Sequence, residues 1–142
     1  MRLAHRELGG AGPELVFLHG LFGSAANWGG IARRLAPGYR CVGLDLRNHG
    51  ASPHDPAMAY PALADDVLET TSALGMDAFF LLGHSLGGKV AMMAAARAPE
   101  RVRALAVIDI APVRYRQLVS LPVLEALRAL DPGALTSRAQ AD

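Results

Sequence analysis

Residues 81–92 of this chain read LLGHSLGGKVAM, and this stretch decides the fold. Within it, Gly83-His84-Ser85-Leu86-Gly87 places a serine midway between two glycines. An apolar run typical of a strand precedes the serine, and a run typical of a helix follows it. A sharp strand-to-helix turn explains both glycines, because side chains at those positions would collide with neighbouring chain.

A turn of this kind has a chemical consequence for Ser85. It would present the hydroxyl beyond the carboxyl ends of the strands, where ligands bind in open α/β sheets. The first turn of the following helix would also aim the Leu86 main-chain N–H at a developing oxyanion. A turn that binds phosphate, or one that only packs tightly, would use the same glycines. The pattern therefore predicts a serine nucleophile and leaves those two alternatives open.

Strand and helix patterns alternate along the rest of the chain. We expect strands at 2–8, 15–18, 40–45, 78–82 and 104–108, and helices ending near 35, at 61–74 and at 86–97. The first two strands should form a hairpin across the turn GGAGP at 9–13. Later strands are continuously apolar, as in parallel sheets covered on both faces. The class is α/β, a mostly parallel sheet flanked by helices, over residues 1–111.

The pattern changes after residue 111, so we expect a second segment at 112–142. It holds an amphipathic helix with Val123, Leu124, Leu127 and Leu130 on its apolar side.

Composition excludes several classes of protein. With 51% hydrophobic and 19% charged residues, the chain is not disordered. A net charge of +1 without a basic stripe argues against a nucleic-acid partner. No run is long enough to span a membrane and no signal peptide is visible, so we expect a cytoplasmic protein. The single cysteine, Cys41, lies in an apolar strand and should pack in the core. Nothing in the pattern indicates a metal site or a cofactor.

A second oxyanion donor should come from the loop His19-Gly20-Leu21-Phe22-Gly23, which follows an apolar strand. The N–H of Leu21 or of Phe22 would face the same oxygen as that of Leu86. For His19 we favour a role in bracing this loop over a catalytic one. His84 adjoins the serine, but neighbours on a sharp turn point apart, so it is a poor base for Ser85.

The candidate acid is Asp109, at the carboxyl end of the strand ALAVI. That strand should neighbour the strand that leads to Ser85, which would bring the carboxylate to the same sheet edge. Capping the loop before Pro112 is the alternative role. Asp45 follows another strand and is the rival acid, but ordering the loop at 47–49 is the role we favour for it.

Taken together, these residues resemble the α/β-hydrolase fold and, more narrowly, the bacterial YbfF-type esterases. The resemblance lies in HGLFGS, DLRNHGASP, the stretch 55–61, GHSLGGKVAM and VIDIAPVRY, and it extends to Tyr115. It implies hydrolysis of short-chain carboxylic esters or thioesters through an acyl-enzyme on Ser85, without a cofactor. It also implies that Asp109 is the acid and that residues after 111 begin a helical cap over the acyl pocket.

The sequence departs from the family at the base. The family carries its catalytic histidine after the last strand, whereas all five histidines here precede Ser85. We expect a chain truncated before the last strands, whose exposed sheet edge would promote self-association. Two alternatives are a short form that recruits His49, His54 or another subunit's histidine, and a non-catalytic ligand-binding or regulatory protein on the same scaffold.

Overall fold

The computed structural model describes residues 1–115 and 121–129. The chain divides into two compact units, Met1–Pro112 and Val113–Asp142. The first contains strands β1 (His5–Gly9), β2 (Glu14–Leu18), β3 (Arg40–Leu44), β4 (Phe79–His84) and β5 (Val102–Ile108). Its helices are a 3-10 turn (Ala25–Trp28), α1 (Gly29–Leu35), α2 (Tyr60–Ala73) and α3 (Leu86–Arg97). In the second unit the described helix is α4 (Leu121–Ala129).

One five-stranded sheet organises the first unit, in the order β1-β3-β2-β4-β5. The strands β3, β2, β4 and β5 run parallel, and β1 is antiparallel to β3. The predicted α/β class with a mostly parallel sheet is therefore confirmed.

The expected hairpin between the first two strands is wrong, because β1 pairs with β3 and not with β2. The glycine-rich turn carries the chain across the end of β3 instead. Gly10, with φ +85°, lies so close to the Tyr39 carbonyl that a side chain has no room there. The N–H of Arg40 also donates to the Pro13 carbonyl at 3.0 Å. With β3 between them, β2 is free to pair with β3 on one edge and β4 on the other.

The sheet is buried on both faces at its centre, as its continuous apolar strands predict. On one face, Val16, Leu18, Val42, Leu44 and Leu81 pack with residues of α2 and α3 that include Leu63, Val67 and Val90. On the other, Leu15, Phe17 and Cys41 pack with Trp28 and Ala32. Cys41 is fully buried, so its predicted place in the core is confirmed.

Helix α4 occupies the part of the second unit where an amphipathic helix was predicted. Of its expected apolar positions, Leu130 lies outside the described residues, and the side chains of Val123 and Leu127 are also outside them. None of the described helices is long and apolar enough to cross a membrane.

Candidate active site

Ser85 occupies a sharp turn between β4 and α3. Its backbone has φ 51° and ψ −115°, a conformation that L residues rarely adopt and that costs of order 1–3 kcal/mol. Hydrogen bonds hold the turn on both sides, since the Ser85 N–H donates to the Ile108 carbonyl at 3.0 Å and the Lys89 N–H donates to the Ser85 carbonyl at 3.1 Å. The first bond ties the serine to β5 and the second begins α3.

The glycines flanking Ser85 lie where side chains do not fit. A methyl group at Gly87 would come within 2.5 Å of the Leu18 and His19 carbonyl oxygens. One at Gly83 would overlap the main chain of Gly87. Because Gly87 lies so close to the end of β2, its N–H donates to the His19 carbonyl at 3.1 Å. The glycines therefore allow α3 to begin directly against the end of β2.

The loop at 19–23 lies beside this turn because β2 and β4 are paired in register, with Leu18 opposite Gly83. A methyl group at Gly20 would be 3.4 Å from the Ser85 Cβ and 2.9 Å from the His84 Nδ1. A bond from the Gly23 N–H to the Gly20 carbonyl, 3.0 Å long, closes the loop into a tight turn. Phe22 within it has φ 61°.

The N–H groups expected to bind an oxyanion are available. In residues 1–115, those of Leu21, Phe22 and Leu86 donate to no other main-chain group. Leu86 is the first residue of α3, where the helix has no internal acceptor for its N–H. Leu21 and Phe22 are exposed. Main-chain donors that bind no other main-chain group therefore occur both in the loop at 19–23 and at the residue after Ser85.

His19 lies under the loop rather than in the open site. It is buried, its Nε2 accepts the Leu46 N–H at 3.0 Å, and its Nδ1 lies 2.7 Å from the Gly20 carbonyl. Since Nε2 is an acceptor, Nδ1 carries the proton and donates to that carbonyl. Burial lowers the pKa of His19 below its ordinary value of 6.5. A neutral ring with both nitrogens engaged holds the loop to the end of β3.

Asp109 follows β5, which does neighbour β4, with His84 opposite Ile108. The aspartate has φ 57°, and its side chain is 85% exposed. Its Oδ2 lies 3.8 Å from the Nε2 of His84. Strand order therefore brings Asp109 and Ser85 to one edge of the sheet, and the carboxylate faces solvent.

The rival acid, Asp45, is buried and its oxygens are occupied. Oδ1 accepts the Ala25 N–H at 2.7 Å and Oδ2 accepts the Ala51 N–H at 2.9 Å. Its main-chain carbonyl accepts a bond from the Ser52 hydroxyl at 2.6 Å. This carboxylate joins the loop after β3 to the chain before α1.

The other histidines considered as bases lie within or beside that loop. His49 is buried, its Nδ1 is 2.8 Å from the Arg47 carbonyl, and its ring centroid is 5.0 Å from that of His19. His54 is exposed. Among the contacts of the described residues, none joins either ring to Ser85.

A cavity of about 410 Å³ opens next to the turn at 83–87 that carries Ser85, which we call the elbow. Gly20 and His84 form its side nearest the serine, and Leu21, Trp28, Ile31 and Ile108 contribute large apolar side chains. No sequence pattern indicates Trp28 or Ile31 as site residues, because their place in the cavity wall depends on how the 3-10 turn and α1 pack beside the loop at 19–23. In the described chain no group of three or more His, Cys, Asp or Glu side chains could hold a metal ion.

Comparison with known proteins gives consistent matches. The family described as alpha/beta hydrolase fold matches residues 13–137. Esterase YbfF of Escherichia coli (strain K12) is 42% identical over 127 residues, which are 89% of this chain and 50% of that protein. The sn-1-specific diacylglycerol lipase ABHD11 of Xenopus tropicalis is 48% identical over 103 residues, 71% of this chain and 32% of the relative.

Among solved structures, a marine microorganism esterase superimposes with a TM-score of 0.92 at 36% identity. The superposition covers 98% of this chain and 55% of the esterase. The chain thus spans about half the length of the first of these relatives, esterase YbfF.

Proposed function

Because this chain belongs to the alpha/beta hydrolase family, we propose that it is the part of a serine hydrolase that carries the nucleophile, Ser85. The substrates are short-chain carboxylic esters or thioesters, and the product of the first step is an acyl-enzyme. That several of its relatives are named esterases or lipases supports hydrolysis as the reaction class. A cytoplasmic location remains a prediction from the sequence.

The observation that carries the proposal is the backbone of Ser85, held at φ 51° directly beside the loop at 19–23. Backbone strain of this kind is concentrated at functional sites, where it holds a reactive group in place. The Ser85 oxygen attacks the acyl carbon, and the N–H groups of Leu86 and of Leu21 or Phe22 stabilise the resulting oxyanion. His19, hydrogen-bonded on both ring nitrogens, braces the loop that supplies the second donor.

The mechanism also needs a general base. The family carries this histidine after the nucleophile, but all five histidines of this chain come before Ser85. Asp109 is the residue that would orient a histidine reaching the same sheet edge. Its 85% exposure supports this, because a carboxylate of an assembled triad needs room for an imidazole beside it. Loss of the base from such a unit lowers turnover by about 10⁶-fold, so we expect ester turnover by the chain alone to be close to background.

Covalent labelling tests the nucleophile without requiring turnover. We expect an alkyl fluorophosphonate to modify Ser85 slowly, and free imidazole to accelerate the reaction by acting as a general base. Peptide mapping by mass spectrometry locates the modified residue. Ser85→Ala should abolish labelling, whereas Ser72→Ala, which removes an exposed serine at the end of α2, should leave it unchanged. Failure to label Ser85 with imidazole present would contradict the proposal and favour a ligand-binding protein on this scaffold.

A further inference from the structure

Lys89 contacts two parts of the proposed site at once. Its main-chain N–H donates to the Ser85 carbonyl at 3.1 Å, and its side-chain Nζ donates to the Ala111 carbonyl at 2.6 Å. Ser85 is the proposed nucleophile, and Ala111 lies two residues after Asp109, the candidate acid. One residue in the first turn of α3 therefore joins the elbow to the loop that carries the acid.

Asp109 is in a conformation that its surroundings must maintain. Its φ of 57° lies in the left-handed region, which is unfavourable for residues other than glycine, although aspartate tolerates it better than most. Its side chain is 85% exposed, and its Oδ2 is 3.8 Å from the His84 Nε2, beyond hydrogen-bond distance. The direction of such an exposed carboxylate depends mainly on the main chain before and after it.

The chain before Asp109 is held by the sheet. Strand β5 is paired with β4 up to Ile108, which lies opposite His84. The Ile108 carbonyl also accepts the Ser85 N–H at 3.0 Å. The point at which the chain enters Asp109 is therefore fixed relative to the nucleophile.

The chain after Asp109 leaves the sheet and packs on α3. Gly88 gives it room, since a methyl group there would be 2.5 Å from the Ile110 Cγ2. Directly beyond this contact, the Lys89 ammonium donates to the Ala111 carbonyl. A bond from an ammonium group is charge-assisted and is stronger than a bond between neutral groups. Packing at Ile110 and the bond at Ala111 together fix the chain on the far side of Asp109.

We propose that Lys89 is a positioning residue for the acid: its ammonium holds the loop at 109–112 so that the Asp109 carboxylate can orient the general base that serves Ser85. The inference rests on the proposed function, because Asp109 orients a base only if Ser85 is the nucleophile. In this role Lys89 acts through the Ala111 carbonyl and touches neither substrate nor base. A misplacement of about 1 Å can cost about 100-fold in rate, so a contact remote from the reacting atoms still matters.

Backbone order parameters from NMR relaxation test the hold on the loop without any reaction. Lys89→Met keeps the main-chain bond to Ser85 and removes the ammonium, so amides at 109–111 should fall from about 0.85 to below about 0.6. Lys89→Arg keeps a cationic donor and should restore the higher values. Amides of α2 should stay near about 0.85 in both variants, which shows that the fold is intact. Unchanged values at 109–111 in Lys89→Met, or lower values throughout the chain, would overturn the inference.

Covalent labelling then tests whether the held loop matters for the chemistry. The acceleration of fluorophosphonate labelling by imidazole should fall by about tenfold to 100-fold in Lys89→Met and recover in Lys89→Arg. Asp109→Asn should lower the same acceleration, and adding Lys89→Met to it should lower it no further, because the two residues act through one route. The matched control is Arg97→Met, since Arg97 is a cationic residue of the same helix that pairs with Asp65 on the surface. It should label like the unaltered chain.

The double variant separates a positioning role from a general structural one. If Lys89→Met caused the same loss with and without Asp109, it would not act through the acid, and the inference would be wrong. A full imidazole effect in Lys89→Met would overturn it as well. Absence of Ser85 labelling in the unaltered chain would instead refute the proposed nucleophile, and the order parameters would still decide whether Lys89 holds the loop.

Discussion

At the scale of single residues, the turn that carries Ser85 depends on two glycines, because a side chain at either position would not fit. Gly83 and Gly87 have no side chains, and this lets α3 start against the carbonyl end of β2 while Ser85 takes its strained backbone. The pattern could be identified from sequence because the serine and its two glycines are close together in the chain, and the clash at Gly83 is with the nearby main chain of Gly87. The clash at Gly87 is with the Leu18 and His19 carbonyls, which only the tertiary structure brings there.

Gly83→Ala should therefore lower the free energy of unfolding by about 1–3 kcal/mol, since the added methyl group overlaps the main chain of Gly87. Urea denaturation followed by circular dichroism measures this. Gly30→Ala is the matched control, because Gly30 lies in α1 with nothing within 4 Å of the added methyl group. It should leave stability unchanged or raise it by up to about 1 kcal/mol. Equal effects at the two positions would contradict the steric account of the elbow.

His19 should make stability depend on pH. Because burial lowers its pKa from the ordinary 6.5, the unfolded chain takes up a proton at this position before the folded chain does as the pH falls. The contribution of neutral His19 to stability is complete above pH 6.5 and is lost as the pH falls below 6.5 toward the folded-state pKa. Protonation would also place a hydrogen on Nε2, which accepts the Leu46 N–H.

Comparing urea denaturation at about pH 7.5 and about pH 5.5 tests this, with a loss of at most about 1.4 kcal/mol per pH unit from this one group. In His19→Gln the loss between the two pH values should be smaller than in the unaltered protein. His54→Gln removes an exposed histidine and should keep the full loss. If His19→Gln kept it as well, the pH dependence would arise elsewhere.

At the scale of elements, the side chain of Arg101 supplies hydrogen-bond donors to the C-terminal end of α2. Arg101, just before β5, donates to the carbonyls of Leu68, Met76 and Asp77 and to the Thr71 hydroxyl, at 2.8–3.3 Å. Its guanidinium also lies over the Phe79 ring, 5.5 Å from the centroid. These bonds join the last turns of α2 and the loop before β4 to the chain that enters β5.

Arg101→Met should lower the free energy of unfolding by about 1–3 kcal/mol, because partly buried carbonyls lose their donor. Thermal or urea unfolding measures the change. Arg97→Met provides the control, since the partner of Arg97 among the described residues is Asp65, at 2.8 Å on the surface, with both side chains about half exposed. Such pairs contribute less than about 1 kcal/mol. A similar loss in both variants would mean that the Arg101 bonds to α2 add little.

The elements also show where sequence reasoning succeeds and where it fails. Continuous apolar runs predicted β2 and β3 and their burial on both faces, because burial follows directly from composition. The hairpin prediction failed because strand pairing is decided by non-local contacts, here between β1 and β3. The difference between local and non-local contacts also decides which parts of the site could be predicted. The strand-to-helix turn is a local feature and was predicted, but Trp28 and Ile31 come from the 3-10 turn and α1, which only the tertiary structure brings beside it.

At the scale of the whole molecule, the sheet is well covered at its centre and poorly covered at one edge. Central strands β2 and β3 are almost completely buried, whereas β5 lies at one edge of the sheet with most of its residues exposed. Leu105 and Ile108 are exposed to 38% and 41%, and successive side chains of a strand point to opposite faces. The described part of β5 therefore presents apolar surface and unpaired main-chain groups together, a combination that favours pairing with another chain.

We accordingly expect the chain to self-associate through β5, with a mean mass that rises with concentration in sedimentation velocity. Leu105→Lys should shift the distribution toward monomer, because a charge on an edge strand opposes strand pairing and loses hydration when the apolar surface is covered. Met58→Lys is the control, since Met58 is 40% exposed but lies in the loop before α2. It should associate like the unaltered chain. A monomer at every concentration, or equal relief by both lysines, would show that β5 is not the contact surface, since only Leu105 belongs to that strand.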